Sequence, residues 1–210
     1  MDIDEIQKYV SIFKDIISGL SALFVAITAF LGLHTWKKQI KGRNEYELIQ
    51  KLLRATYKVR ESIAWVRNPF ESVAEISQAL KDSNIEGDYN NNPRIRARKE
   101  GAVYENRWRK VQEALIDLDS VALEAEAIWG DKVSACLKPL RTSVSTLAFT
   151  ITSYLQTLER PNDNLGSEYS KYLEKIIYDW PDESNENTFS KELSIAVNII
   201  EEFLRPRLKI

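Results

Sequence analysis

Hydrophobic positions along this chain follow two patterns. From Ile16 to Trp36 the sequence IISGLSALFVAITAFLGLHTW carries no Asp, Glu, Lys or Arg. From Ile49 onward, apolar residues instead recur at alternating steps of three and four, with polar residues between them. The first pattern predicts a helix that crosses a membrane. The second predicts helices that pack along narrow seams.

About 20 apolar residues in a helix rise roughly 30 Å, the thickness of a bilayer's hydrocarbon core. A buried core helix would keep a polar stripe, whereas Leu20, Leu23, Phe24, Ile27, Phe30 and Leu31 surround the axis. A secretory signal would start with positive charge and end in a small-x-small cleavage site; here Asp2, Asp4 and Glu5 open the chain. An interfacial helix would need a basic face within the run, and there is none. Lys37, Lys38, Lys41 and Arg43 follow the run closely, against Lys8 and Lys14 before it. That bias places the C-terminal part in the cytosol, and Trp36 suits an aromatic anchor at the interface. The expected layout is a short extracytosolic tail over 1–15, a single span over 16–36 in the cell inner membrane, and a cytosolic helical bundle over 37–210. Ser18, Ala22 and Ala26 form a small-xxx-small series, the spacing that lets helices approach closely in lipid. Thr28 and Gly32 form a second such pair.

The expected fold class is all-α, with the span continuing into an antiparallel bundle built around a long two-helix hairpin. The first cytosolic seam is Ile49, Leu52, Thr56, Val59, Ile63 and Val66, stopped by Asn68-Pro69. A second runs through Tyr104, Trp108, Val111, Leu115, Leu118, Ala122, Ala125 and Trp129. A third runs through Val133, Leu137, Leu140, Val144, Leu147, Ile151, Tyr154 and Leu158. Gly130-Asp131 between them predicts a C-terminal cap followed by an N-cap, so 94–129 and 131–160 become the hairpin arms. Pro139 predicts a kink in the second arm. A short helix is expected near 71–81, a polar loop over 83–93, and two further helices over 168–179 and 188–204, the last capped by Thr188. Trp65 to Phe70 predicts a corner whose aromatic side chains fix the helix end. One glycine, Gly42, and no proline lies between Trp36 and Val66, so the span is expected to run on into the first cytosolic helix.

Charge changes little: Lys+Arg 29 against Asp+Glu 31 gives a net charge of −2, with no general pull toward nucleic acid. A single cysteine, Cys136, excludes an internal disulfide, and its apolar neighbours mark it as a packed thiol. A single histidine, His34, stands at the expected membrane border. One of each builds neither a zinc site nor a Ser-His-Asp or Cys-His arrangement. No Gly-rich phosphate loop is present. The expectation is a non-enzymatic protein with no metal and no cofactor.

One local cluster points to chemistry. Arg94, Arg96, Arg98, Lys99, Arg107, Arg109 and Lys110 lie within a short stretch containing only Glu100 and Glu105 as acids. Cations at that density near a helix start suit an anionic ligand, and such a site requires Arg94, Arg96 and Arg98 to line one surface. Two readings follow. In the first, the bundle associates with itself or docks a protein partner, acting as a signal-gated membrane effector. In layout alone this resembles small membrane proteins of bacterial stress and antiviral loci. In the second, the chain is a membrane-tethered sensor whose basic segment binds a nucleotide, RNA or acidic lipid.

Overall fold

The computed structural model describes residues 3–85, 92–159, 164–180 and 187–208, and among them there is no strand. Six α-helices follow one another: α1 (Ile3–Val66), α2 (Val73–Asp82), α3 (Pro93–Trp129), α4 (Lys132–Glu159), α5 (Asn164–Ile177) and α6 (Thr188–Leu204). A 3-10 turn over Arg205–Leu208 follows α6. The polar stretch expected over 83–93 lies outside the described residues from 86 to 91. The chain divides into two compact units, one running up to Glu47 and one beginning at Leu48.

In the N-terminal unit, α1 contains an 18-residue window of mean hydropathy 1.8, none of it buried. By length and composition this helix can cross a membrane. The core helix of a soluble protein would pass the same test while being mostly covered. Thr28 conceals its polarity locally: its hydroxyl donates to the Phe24 and Val25 carbonyls at 3.0 and 2.9 Å.

In the C-terminal unit, one core joins the second half of α1 to α3, α4, α5 and α6. All six residues of the first seam, Ile49 through Val66, are fully buried, and Val111, Leu118, Leu137, Leu140 and Leu147 join them. Spacing of three and four puts each set on one side of its helix, where burial removes it from water. Paired residues run in opposing order along neighbouring helices. Lys51 meets Glu124 and Lys58 meets Asp117 between α1 and α3. Tyr57 meets Glu201 and Arg67 meets Ser190 between α1 and α6. A smaller cluster of Ala79, Ala102 and Val103, with Ile76 and Ile85, fastens α2 to the first turns of α3.

The helix ends have local causes. Asn84 at φ 49° follows α2, and the Ile85 N–H reaches back to the Leu80 carbonyl at 3.0 Å, a Schellman closure with asparagine in the glycine position. Asn92 caps α3 and Pro93 occupies its first turn. The last helix is capped by Asn187, not by Thr188 as the sequence suggested: Asn187 Oδ1 accepts from the Ser190 N–H at 3.2 Å. α4 runs through Pro139, whose nitrogen has no hydrogen to offer the Ala135 carbonyl. Between α3 and α4, Gly130 sits at φ 68°, ψ −161°, a conformation open essentially to glycine alone.

Replacing Gly130 by alanine is therefore expected to destabilise the protein by about 1–3 kcal/mol. Gly101, inside α3, differs. A Cβ there would meet only the Leu155 Cδ1 atom at 3.7 Å, an ordinary contact. Gly101→Ala should leave stability unchanged or raise it by up to ~1 kcal/mol through helix propensity. Thermal denaturation of the two full-length variants in detergent checks the contrast.

Candidate functional site

The basic segment divides into two groups once folded. Arg94, Arg96, Arg98, Arg109 and Lys110 are exposed, whereas Lys99 and Arg107 are buried. Residues two apart on a helix point to nearly opposite sides, so Arg94 and Arg98 share a side and Arg96 does not. The expected common surface for all three is thus not formed. Arg109 bonds to Asn106 in the preceding turn, and Lys110 lies over the Trp65 ring at 4.3 Å.

Arg107 is turned inward, and every one of its five N–H groups has an acceptor. Nε and Nη2 grip the Glu75 carboxylate at 2.6 and 2.9 Å. Nη1 donates to the carbonyls of Asn68 at 2.6 Å and Val66 at 3.4 Å, and Nη2 to that of Phe70 at 3.0 Å. Lys99 lies close by, with Glu71 at 2.9 Å and Glu100 at 3.1 Å. Together they clamp the α1–α2 connection, residues 67–72, onto α3.

Arg67 holds the same corner from the other side. It is among the most deeply buried side chains of the molecule. Its Nε donates to the Ile176 carbonyl at 2.7 Å, Nη1 to Ser190 Oγ at 2.8 Å and Nη2 to the Tyr178 carbonyl at 3.4 Å. Asp179 stands 3.4 Å from Nη1, and the Phe189 ring lies beneath the guanidinium at 4.6 Å. The Arg67 carbonyl in turn accepts the Asp179 N–H at 2.9 Å. The expected aromatic corner is corrected here: Trp65, under Arg107 and Lys110, and Phe70, against Trp180, stay at the surface, and two buried arginines hold the helix end.

Burial and charge set the titration of this network. The Arg107 guanidinium, by hydrogen bond and charge, holds the Glu75 carboxyl below the usual carboxylate range. Burial works against the charge on Arg107, but Glu75 outweighs it and the guanidinium is held more firmly protonated. Arg67 is shifted down by burial, which Asp179 only partly offsets. Burial, and next the charge of Glu71, raise the Glu100 carboxyl.

The Tyr178 hydroxyl is hydrogen-bonded to those of Tyr104 and Tyr154, and burial raises all three, so they stay neutral. Burial also pushes the Cys136 thiol up to about 11 while its Sγ–H donates to the Val133 carbonyl. None of these groups is poised as a nucleophile or base at neutral pH. Among the described residues, no cluster of three or more His, Cys, Asp or Glu side chains could hold a metal ion.

At the expected membrane border, Trp36, Lys37, Lys38, Lys41 and Arg43 are all exposed, and Lys41 and Arg43 pair one turn on with Glu45 and Glu47. Ser18, Ala22 and Ala26 are exposed along one side of α1. Sequence reasoning missed Arg67 and the internal role of Arg107. A signal for Arg107 existed, because its spacing from Tyr104, Val111, Ala114 and Leu118 puts it on the buried side of α3.

The chain matches no protein-family model, no curated protein and no solved structure.

Arg107→Ala leaves Glu75 and three carbonyls without their donor in a partly buried corner, so a loss of about 3 kcal/mol is expected from denaturant unfolding. Arg107→Lys should recover little of it, since an ammonium does not reproduce the two-pronged grip. A depressed carboxyl stabilises the fold above its unfolded value, and that stability is lost as pH falls through the lower folded value. Glu75→Gln should therefore lower stability at neutral pH and flatten the acid limb of the stability–pH curve.

Proposed function

We propose that this chain is a single-pass membrane protein whose C-terminal helical bundle, on the cytosolic side of the inner membrane, associates with itself or docks a protein partner. It is non-enzymatic, and its output is a signal-gated change in the packing of its membrane helices. The observation that carries the reading is α1. One helical element bears an apolar window that nothing covers and, further along, six fully buried seam residues. Its far end is tied to α5 and α6 through Arg67. A rearrangement of those helices thus has a covalent route to the apolar segment, with only Gly42 as a soft point. Lys37, Lys38, Lys41 and Arg43 support the orientation, and the Ser18, Ala22 and Ala26 series supports close helix approach in lipid.

Wild-type protein should stay with membranes through alkaline carbonate extraction. Replacing Leu23 and Ile27 by lysine adds about 2.5–3.5 kcal/mol per residue to insertion and should release it. Recovery of wild-type protein in the soluble fraction would defeat the anchoring. In mild detergent, native mass spectrometry should give a defined oligomer that Ala22→Leu shifts toward monomer. A bare wild-type monomer removes self-association and leaves docking to another protein.

A second reading, in which an anion binds the basic segment, rests on the exposed Arg94 and Arg98, which share one side of α3 and make no ion pair among the described residues. It requires binding that weakens with salt and disappears in the double variant Arg94→Glu, Arg98→Glu.

A further inference from the structure

Helices α4, α5 and α6 enclose a cleft of about 810 Å³, within the range of small-molecule sites. Its sides include the rings of Tyr172 and Trp180, which are 60% and 54% exposed. Neither ring hangs loosely. The Tyr172 ring is stacked on Tyr169, with centroids 6.5 Å apart, while the residue stays exposed. Trp180 is held by Phe70 at 6.2 Å and Tyr178 at 5.9 Å. Phe189 also lines the cleft, its ring held by the Arg67 guanidinium.

Part of the polar lining is unspent. Lys175 of α5, Glu192 of α6 and the Thr146 hydroxyl of α4 all border the cleft. Among the described residues, neither charged side chain makes an ion pair and the hydroxyl has no hydrogen-bond partner. A second cleft, beside Trp65 and Phe70, lacks this property. There Asp179 is engaged by Arg67 and Ser190, Glu61 by Arg60, and Trp65 carries Lys110.

Aromatic faces, one cation, one carboxylate and hydroxyls around a space of this size match a particular kind of ligand. It needs a flat ring to stack, an anionic group for Lys175, and hydroxyl or amine donors for Glu192. We propose that the α4–α5–α6 cleft is a nucleotide-binding site, with Tyr172 and Trp180 taking the base, Lys175 the phosphate and Glu192 the sugar hydroxyls or exocyclic amine. The site does not depend on the membrane reading and holds whether or not α1 spans a bilayer. If the chain is a signal-gated effector, the nucleotide is its signal.

The test is equilibrium dialysis of the full-length protein in detergent against AMP, ATP, GMP and GTP. Adenosine and inorganic phosphate serve as the two half-ligands. At least one nucleotide should bind, and each half-ligand should bind at least tenfold more weakly. Base stacking makes Tyr172→Ala lower affinity by about tenfold or more, while Tyr172→Phe, which keeps the ring, retains it. Lys175→Glu should lower affinity by a similar factor with the melting temperature unchanged, which separates lost binding from lost folding. The proposal is overturned if no nucleotide binds at about 1 mM. It is equally overturned if binding survives Tyr172→Ala and Lys175→Glu but is lost in Arg94→Glu, Arg98→Glu, which would assign the anion to the basic segment.

Discussion

A helix that stops before proline leaves its last carbonyls short of backbone donors, because the chain turns away before the next amides can reach them. At the end of α1 this shortage falls inside the protein, where an unpaired carbonyl is expensive. Arg107 meets it from a neighbouring helix, giving donors to Val66, Asn68 and Phe70 and its remaining grip to Glu75. The position of α2, the direction in which α1 ends and the seating of α3 all meet at this one guanidinium. A lysine offers three donors from a single nitrogen and could not span the same set.

Glu75 shows how local rules yield to this constraint. Ser72-x-x-Glu75 reads as a capping box, in which the glutamate would reach back to the Ser72 amide. Half of it forms, with Ser72 Oγ accepting the Glu75 N–H at 3.1 Å. The carboxylate goes instead to Arg107, where a charge-assisted, two-point contact outweighs a single bond to an amide. Opposite, Arg67 satisfies carbonyls of α5 and of the segment after it, so the end of α1 is joined to both flanks of the bundle by buried cations.

The seams were readable because burial on one side of a helix imposes a period, and a period survives in one dimension. Ile49 through Val66, and their counterparts in α3 and α4, are buried as their spacing requires. The stop at Asn68-Pro69 and the glycine at 130 were readable for similar local reasons. What escaped was set by contacts distant in sequence. Nothing beside Arg67 announces Ile176 or Ser190 as its partners. Nothing in the run of cations after Pro93 separates the buried Lys99 and Arg107 from their exposed neighbours except the position of Arg107 in an apolar seam. The choice between Asn187 and Thr188 as cap turned on one residue, within the ordinary slack of helix boundaries. The cleft of Tyr172, Lys175, Trp180 and Glu192 needs three helices in place and has no linear signature.

The contact between Arg67 and Ser190 spans 123 positions, and that separation has a consequence for how the protein is made. At about 5–20 residues per second, a ribosome needs roughly 6–25 s to carry the chain from one to the other. The apolar stretch of α1 emerges early, complete long before the last helix is made. The seam from Ile49 to Val66 is covered in stages, first by α3 and α4, and its arginine finds the Ile176 and Tyr178 carbonyls before Ser190 of the last helix completes the set. If α1 enters a membrane, biogenesis is thereby ordered: its apolar stretch is complete well before the core. The interval between them is when the nascent chain has most need of a chaperone to cover the seam.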